Sequence, residues 1–200
     1  MFPFYAMDTS FWQSRPHYPF EVRCEILRDL GYDATYLSLR WEEDWQNLAK
    51  LAAVKAEYGL DVAGVYVVLE LNQTPEDDNF QSIQKMIREL DGCRNVELAI
   101  RDSSGHCASS DTAGDDQASR LLEPLLATAL ENDISISLYH HRNYWLERIE
   151  DSLRLIGRIG HPNLRAVFSA LHWFGVDGKQ LGQRLEAAAP HLTNVNICGC

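Results

Sequence analysis

The sequence has little positive charge and no long apolar segment. Lys and Arg together number 18 against 29 Asp and Glu, which gives a formal net charge of −11. Such a surface repels a phosphate backbone, so nucleic acid is not expected as a partner. The longest apolar run, AGVYVVL at residues 63–69, is far shorter than the roughly 18 residues that a membrane helix needs. No membrane association is expected.

Cysteine is also sparse, and its pattern does not suggest a disulfide framework. The five cysteines are odd in number and scattered, apart from Cys198 and Cys200 in the terminal C-G-C. The N-terminus has no basic leader, and Asp8 interrupts its apolar run, so a secretory signal is not predicted. Free thiols in a reducing compartment are the simpler interpretation, and we expect a cytoplasmic location.

The best-marked catalytic motifs are missing. There is no G-x-S-x-G nucleophile elbow, no H-E-x-x-H zinc motif and no G-x-x-x-x-G-K-[ST] phosphate loop. The common hydrolase and NTPase classes are therefore disfavoured, and so is the lipid-modified GTPase ending that C-G-C resembles. A metal isomerase stays open, because such a site draws single ligands from separate strands.

Short segments rich in Val, Ile, Leu and aromatic residues alternate with segments of helical periodicity along the chain. We predict strands at residues 4–8, 35–39, 62–69, 96–101, 134–139, 166–170 and 194–197. Between them, apolar residues recur at helical spacing at residues 80–90, 118–129 and 149–160. Thr74 and Pro75 form a helix start signal, and Gly160 a stop signal. This order builds a parallel sheet with crossover helices.

The spacing of the strands favours a TIM barrel. They start about every 30 residues, as in a barrel of eight strand-helix units and about 250 residues. Seven strands are counted, so the helix after the seventh strand and the whole eighth unit, together roughly 50–60 residues, are expected to be missing after Cys200. The prediction is an α/β (β/α)8 fold forming one incomplete domain over residues 1–200. A doubly wound sheet has the same alternation, but no predicted strand is followed by its G-x-G-x-x-G turn.

In a TIM barrel the chemistry lies where strands end. The densest polar cluster is LYHHRNYW at residues 138–145, where adjacent histidines point to opposite faces if the strand continues. Imidazole binds Zn, Mn or Fe, or moves a proton near neutral pH. A hydrogen-bonded loop histidine packed beside aromatic rings is the alternative.

A second polar group follows the sixth predicted strand. In FSALHWFGVDG, Ser169 precedes His172, with Trp173 and Phe174 beside it. Such an aromatic wall suits a sugar ring, although self-packing of the barrel rim is the alternative. Glu70, Arg101 and Asp102 also end strands, where simple ion pairs are common.

The stretch at residues 137–178, with NVNICGC at the C-terminus, resembles the xylose-isomerase-like TIM-barrel proteins described as sugar phosphate isomerases or epimerases. That resemblance implies a divalent metal held by acidic and histidine ligands at strand ends. Carried over, the fifth-strand Glu position holds Tyr139, with His141 two residues later. The D-x-x-H pattern becomes Ser169-Ala-Leu-His172, and Asn196 stands where a histidine is usual.

The resemblance and the strand-end positions together give the predicted site. It assigns catalysis to Tyr139, His140 and His172, substrate binding to Glu70, Trp145, Trp173 and Asn196, and metal binding to His141, His172 and Asn196. The implied cofactor is a divalent metal, Mn, Mg, Zn or Fe. The implied partner is a small sugar or sugar phosphate, and the open sheet edges favour a homo-oligomer.

The function implied is a sugar or sugar-phosphate isomerase or epimerase that moves a proton next to a carbonyl, assisted by a divalent metal. A non-catalytic carbohydrate-binding barrel with a degenerate metal site is the first alternative, favoured by the substituted ligand positions. A metal-dependent phosphoesterase of the apurinic endonuclease type is the second, and the acidic charge counts against it.

Overall fold

The computed structural model describes residues 3–12, 14 and 16–197 of the chain. Its strands are β1 Ala34–Ser38, β2 Asp61–Glu70, β3 Asn95–Arg101, β4 Ser135–Tyr139, β5 Leu164–Ser169 and β6 Leu192–Asn196. Its α-helices are α1 Phe20–Asp29, α2 Glu42–Asn47, α3 Val54–Tyr58, α4 Asp78–Glu89, α5 Asp115–Glu131, α6 Ile149–Ile159, α7 Ala170–Val176 and α8 Leu181–Ala188. Short 3-10 helices lie at Asp8–Phe11, Leu48–Ala53, Thr112–Gly114 and Ala189–His191.

The strands lie in one sheet in the order in which they occur in the chain, β1-β2-β3-β4-β5-β6. The pairs β1–β2, β4–β5 and β5–β6 are parallel, as the predicted crossover helices require. No helix within the described residues is long and apolar enough to cross a membrane. The terminal C-G-C lies outside the described residues.

The count of seven strands was wrong by one, because the predicted first strand at residues 4–8 is not formed. Only an isolated parallel bridge joins Tyr5 to Ala34, and a 3-10 helix begins at Asp8. The Asp8 carboxylate accepts hydrogen bonds from the backbone N–H and the hydroxyl of Ser38, both at 2.7 Å. A side chain therefore takes the Ser38 N–H that a neighbouring strand would have bound.

Two helix boundaries show how local side chains decide where a helix begins and ends. The start signal at Thr74 is shifted, since Asp77 accepts a hydrogen bond from the Thr74 N–H at 2.6 Å and α4 begins at Asp78. The stop signal at Gly160 is confirmed. That residue is left-handed, with φ of 67°, and follows the last residue of α6.

By its internal contacts the chain divides into two compact units, and the division falls within β2. Unit 1 runs to Val67 and includes Glu89–Asn95, and unit 2 comprises Val68–Arg88 and the chain from Val96 on. The single domain over residues 1–200 stays a prediction. In unit 2, Val96, Leu98 and Ile100 of β3 are buried, while Glu97 and Arg101 occupy alternate positions on its opposite face.

Candidate functional site

Four neighbouring strands, β2 to β5, end in polar residues of unit 2, as does β6 at Asn196. Glu70, Arg101, Tyr139 and Ser169 are the last residues of β2, β3, β4 and β5. Parallel strands that lie side by side bring such ends to one edge of the sheet. We call these residues, together with His141, Tyr144 and His172, the strand-end cluster.

The centre of the cluster is a pair of imidazoles. The ring centroids of His141 and His172 are 3.9 Å apart, and Tyr144 stacks on His141 at the same separation. The ring of Tyr139 meets His172 edge to face, with centroids 5.7 Å apart. The structure therefore brings together three of the residues predicted from the sequence.

Both central histidines favour the neutral form. Burial is the largest cause for His172, whose pKa falls to about 3, and the nearby His141, His140 and Arg142 add to the effect. Burial also lowers the pKa of His141, and the charge of Arg101 lowers it further. Nδ1 of His141 lies 2.8 Å from the carbonyl oxygen of Arg142, which fixes its proton there and leaves Nε2 as an acceptor. Two neutral imidazoles thus lie in contact with each other.

A pair of neutral hydroxyls lies beside the imidazoles. The Tyr139 hydroxyl and the Ser169 hydroxyl are 3.2 Å apart and buried. In the register of β5 and β6, Ser169 is also the partner of Asn196. The positions that the resemblance assigns to metal ligands are therefore adjacent, but they carry hydroxyl and amide groups.

Glu70 and Arg101 form an ion pair at the side of the cluster. Nε of Arg101 donates to Oε1 of Glu70 at 2.7 Å, and the Ser103 N–H donates to Oε2 at 3.1 Å. The bond to Glu70 is the largest cause that raises the pKa of Arg101. The Arg101 guanidinium also lies 5.7 Å from the centre of the Tyr144 ring. Glu70 is thus held by Arg101, as the ion-pair alternative describes.

His140 points away from its neighbour, as the alternation of the strand predicts. Its side chain is buried, and Nε2 accepts a hydrogen bond of 2.9 Å from the backbone N–H of Ser169. Burial lowers its pKa to about 4, against a smaller opposing effect of the Glu147 backbone. His140 therefore holds the end of β5 in place.

The two predicted tryptophans differ in environment. Trp145 is 2% exposed, and its indole N–H donates to the carbonyl oxygen of Asp111 at 2.8 Å. It packs against Gly114, so the structure places it in the core. Trp173 lies on α7, next in the chain to His172, and donates to the carbonyl oxygen of Lys179.

Glu97 is a polar residue of this region that the sequence reasoning missed. Its side chain is fully buried, and its carboxylate accepts hydrogen bonds from Asn194 at 2.7 Å and from Asn196 at 3.4 Å. The sequence NVELAIR contains a sign of this role. Glu97 is a charged residue within an otherwise apolar strand, and it stands four residues before Arg101, on the same face of the strand. Asn196 is therefore engaged with a carboxylate.

These residues do not fit the divalent metal that the resemblance implies. Among the described residues, no group of three or more His, Cys, Asp or Glu side chains is placed to hold a metal ion. Neutral hydroxyls at Tyr139 and Ser169 are poor ligands for a hard cation, and Asn196 offers only a neutral amide oxygen, since its nitrogen donates to Glu97. Of the three predicted ligands, only His141 and His172 contact each other.

Comparison with known proteins identifies the fold. A family model described as "Xylose isomerase-like TIM barrel" matches residues 24–199. The apo structure of 3-keto-D-glucoside 4-epimerase, YcjR, from E. coli matches with a TM-score of 0.75 and 15% identity, over 93% of this chain and 77% of that chain. A structure of L-ribulose 3-epimerase matches with a TM-score of 0.74 and 18% identity, over 98% and 69%.

The structure of IolI protein with a zinc atom bound matches with a TM-score of 0.77 and 12% identity, over 97% of this chain and 72% of that chain. At such identities the similarity shows the fold, and it confirms the predicted α/β TIM-barrel class. Six strands are present within the described residues, so the barrel is incomplete. The comparison with curated proteins found no match.

Proposed function

Because the chain belongs to the xylose isomerase-like TIM-barrel family, we propose that it is a sugar or sugar-phosphate isomerase or epimerase. The reaction would move a proton at the carbon next to a carbonyl. The observation that carries this proposal is the pair of neutral imidazoles, His141 and His172, beside the hydroxyls of Tyr139 and Ser169. The similar solved structures include sugar epimerases, which supports the substrate class.

In this mechanism His172 is the base and Tyr139 the acid. Neutral His172 takes the proton from the carbon next to the carbonyl, while the Tyr139 hydroxyl donates a hydrogen bond to the carbonyl oxygen. Ser169 orients that hydroxyl from 3.2 Å. Negative charge that develops on the substrate raises the affinity of His172 for the proton. Inversion follows when water supplies a proton to the other face and His172 releases its own proton to solvent. Ketose and aldose interconvert when His172 returns its proton to the neighbouring carbon, while the hydroxyl on that carbon loses its proton and the former carbonyl oxygen gains one.

The other groups of the cluster bind the substrate. Arg101, Glu70 and His141 offer hydrogen bonds to sugar hydroxyls. Trp173, for which the sequence predicts substrate binding, lies on α7 with its ring centroid 6.3 Å from that of Phe168. No step of this mechanism goes through a metal, since the donor set does not fit one.

A non-catalytic carbohydrate-binding barrel is the second candidate. The observation in its favour is that hydroxyls replace carboxylates at the positions of Tyr139 and Ser169. Such a protein would bind the sugar through the same cluster but would not exchange its protons.

Proton exchange with solvent separates the two candidates. The whole chain is incubated with a panel of ketoses, aldoses and their phosphates in deuterated water, and proton NMR follows the signal of the carbon-bound hydrogen next to the carbonyl. We expect exchange that continues in the presence of a chelator. His172→Gln should slow it at least about 100-fold, as expected for the loss of a general base. The control is His191→Gln, which removes a partly exposed histidine outside the cluster.

Two other results would decide against this mechanism. Full exchange in His172→Gln removes that residue from catalysis, and binding of a sugar without exchange supports the second candidate. Elemental analysis of protein purified without chelator completes the test. About one tightly bound metal ion per chain would contradict the conclusion that these side chains do not fit a divalent metal.

A further inference from the structure

We propose that unit 1 carries a binding pocket of its own, for a ligand that joins a ring to an anionic group such as a carboxylate or a phosphate. The pocket is a cavity of about 680 Å³ lined by residues of unit 1. Sites for small molecules have volumes of about 300–1,000 Å³. The proposal stands apart from the proposed function, whose residues belong to unit 2.

Aromatic side chains form much of the pocket wall. Phe11, Trp12, Tyr18 and Trp41 line it, and the rings of Trp12 and Trp41 meet edge to face with centroids 5.7 Å apart. Trp41 is 41% exposed and Tyr18 is 46% exposed. Large aromatic faces left open to solvent in a concave site can stack on the apolar face of a sugar or another ring.

Arg23 supplies a buried positive charge to the same pocket. It lies on α1, lines the cavity and is 8% exposed. Its Nε is buried and has no hydrogen-bond partner. A buried guanidinium donor without an acceptor costs free energy, and its planar fork matches carboxylate and phosphate oxygens.

The nearest carboxylate does not satisfy this arginine. Nη1 of Arg23 reaches Oδ2 of Asp8 at 3.7 Å, which is too long for a hydrogen bond. Both oxygens of Asp8 already accept from Ser38 at 2.7 Å. The geometry leaves donor capacity on Arg23 for an anionic group.

The other charges around the pocket are engaged or lie at its edge. Asp44 accepts hydrogen bonds from the backbone N–H groups of Arg40 and Trp41, and Lys50 pairs with Glu21 at 2.7 Å. The Arg40 guanidinium lies 4.6 Å from the centre of the Trp12 ring and 5.3 Å from that of Trp41. A second cation therefore stands beside the aromatic wall, while Glu43 is an exposed carboxylate of the lining.

Isothermal titration calorimetry on the whole chain tests the proposal with four probes. These are inorganic phosphate, D-glucose, D-glucuronate and D-glucose 6-phosphate. We expect a probe with both ring and anion to bind at least about tenfold more tightly than glucose or phosphate alone. The glucuronate and glucose 6-phosphate arms show which anion the pocket takes.

Variants assign the binding to the pocket. Arg23→Gln and Trp41→Ala should each weaken it at least about tenfold. The matched control is Arg28→Gln, which removes one positive charge from the same helix at an exposed arginine paired with Asp29. His191→Gln, in unit 2 and outside the strand-end cluster, should leave the affinity unchanged.

Several outcomes overturn the proposal. These are no binding of any probe, an affinity for glucose equal to those for both glucuronate and glucose 6-phosphate, and unchanged affinity in Arg23→Gln or in Trp41→Ala. Loss of binding in His172→Ala alone would place the ligand in unit 2. If circular dichroism shows that Arg23→Gln does not fold, Arg23→Lys replaces it, since lysine keeps the charge but lacks the fork.

Discussion

The buried histidine His140 makes a quantitative prediction about stability and pH. Burial lowers its pKa from 6.5 to about 4, while its Nε2 accepts a hydrogen bond from the Ser169 N–H. As the pH falls below 6.5, the unfolded chain binds a proton at this residue and the folded chain does not. The stabilising contribution is therefore present above pH 6.5 and is lost as the pH falls toward about 4.

The size of the effect follows from these two values. Between about pH 7.5 and about pH 5.5, the titration of His140 should lower the free energy of unfolding by about 1 kcal/mol. His172 and His141 act in the same direction, so the fall measured for the unmodified chain should be larger. Comparison with a variant in which residue 140 does not titrate isolates the contribution of His140 to this fall in the free energy of unfolding.

The assay is urea denaturation followed by circular dichroism at several pH values. His140→Gln keeps an acceptor for the Ser169 N–H but does not titrate, so its fall in stability should be smaller by about 1 kcal/mol. The control is Ile136→Val on the same strand, which should lower stability by about 0.5–1.5 kcal/mol at every pH. An equal pH dependence in His140→Gln and the unmodified chain would refute the reasoning.

Three substitutions test the packing, each measured as the change in free energy of unfolding in guanidinium chloride. Gly157→Ala should stabilise the chain by about 0.5–1 kcal/mol, because Gly157 lies in α6 with no heavy atom within 4 Å of an added Cβ. Gly114→Ala should destabilise it by about 1–3 kcal/mol, because the Cβ would stand 2.6 Å from Nε1 of Trp145. Trp145→Ala should cost about 3–5 kcal/mol, and a loss below about 1 kcal/mol would contradict its placement in the core.

Most of the fold could be predicted from the sequence, because strand and helix periods differ and apolar residues mark each. The buried alternation in β3 and the apolar face of α5 were both visible in this way. The missing strand at residues 4–8 could not be foreseen. Ser38 donates hydrogen bonds to Asp8, thirty residues earlier in the chain, and these bonds take the place of strand pairing there. The local sequence pattern does not indicate such a distant contact.

The sequence could predict only those site residues whose position is determined by the end of a strand. Tyr139 and His172 were named because residues at the ends of adjacent parallel strands and in the segments that follow them lie near each other. The roles of Trp145 and Glu97 depend on which way each side chain faces and what it meets there. Trp145 follows its strand by six residues, so the strand period does not fix its direction.

The sheet order described above bears on how the chain can be synthesised and folded. Each strand pairs with the one before it, and paired residues such as Ala34 and Asp61, or Ile136 and Leu164, stand fewer than about 30 positions apart. When a new strand leaves the ribosome, the strand with which it pairs has therefore already been synthesised. The sheet can grow in the direction of translation, one strand at a time, without waiting for residues that have not yet been made.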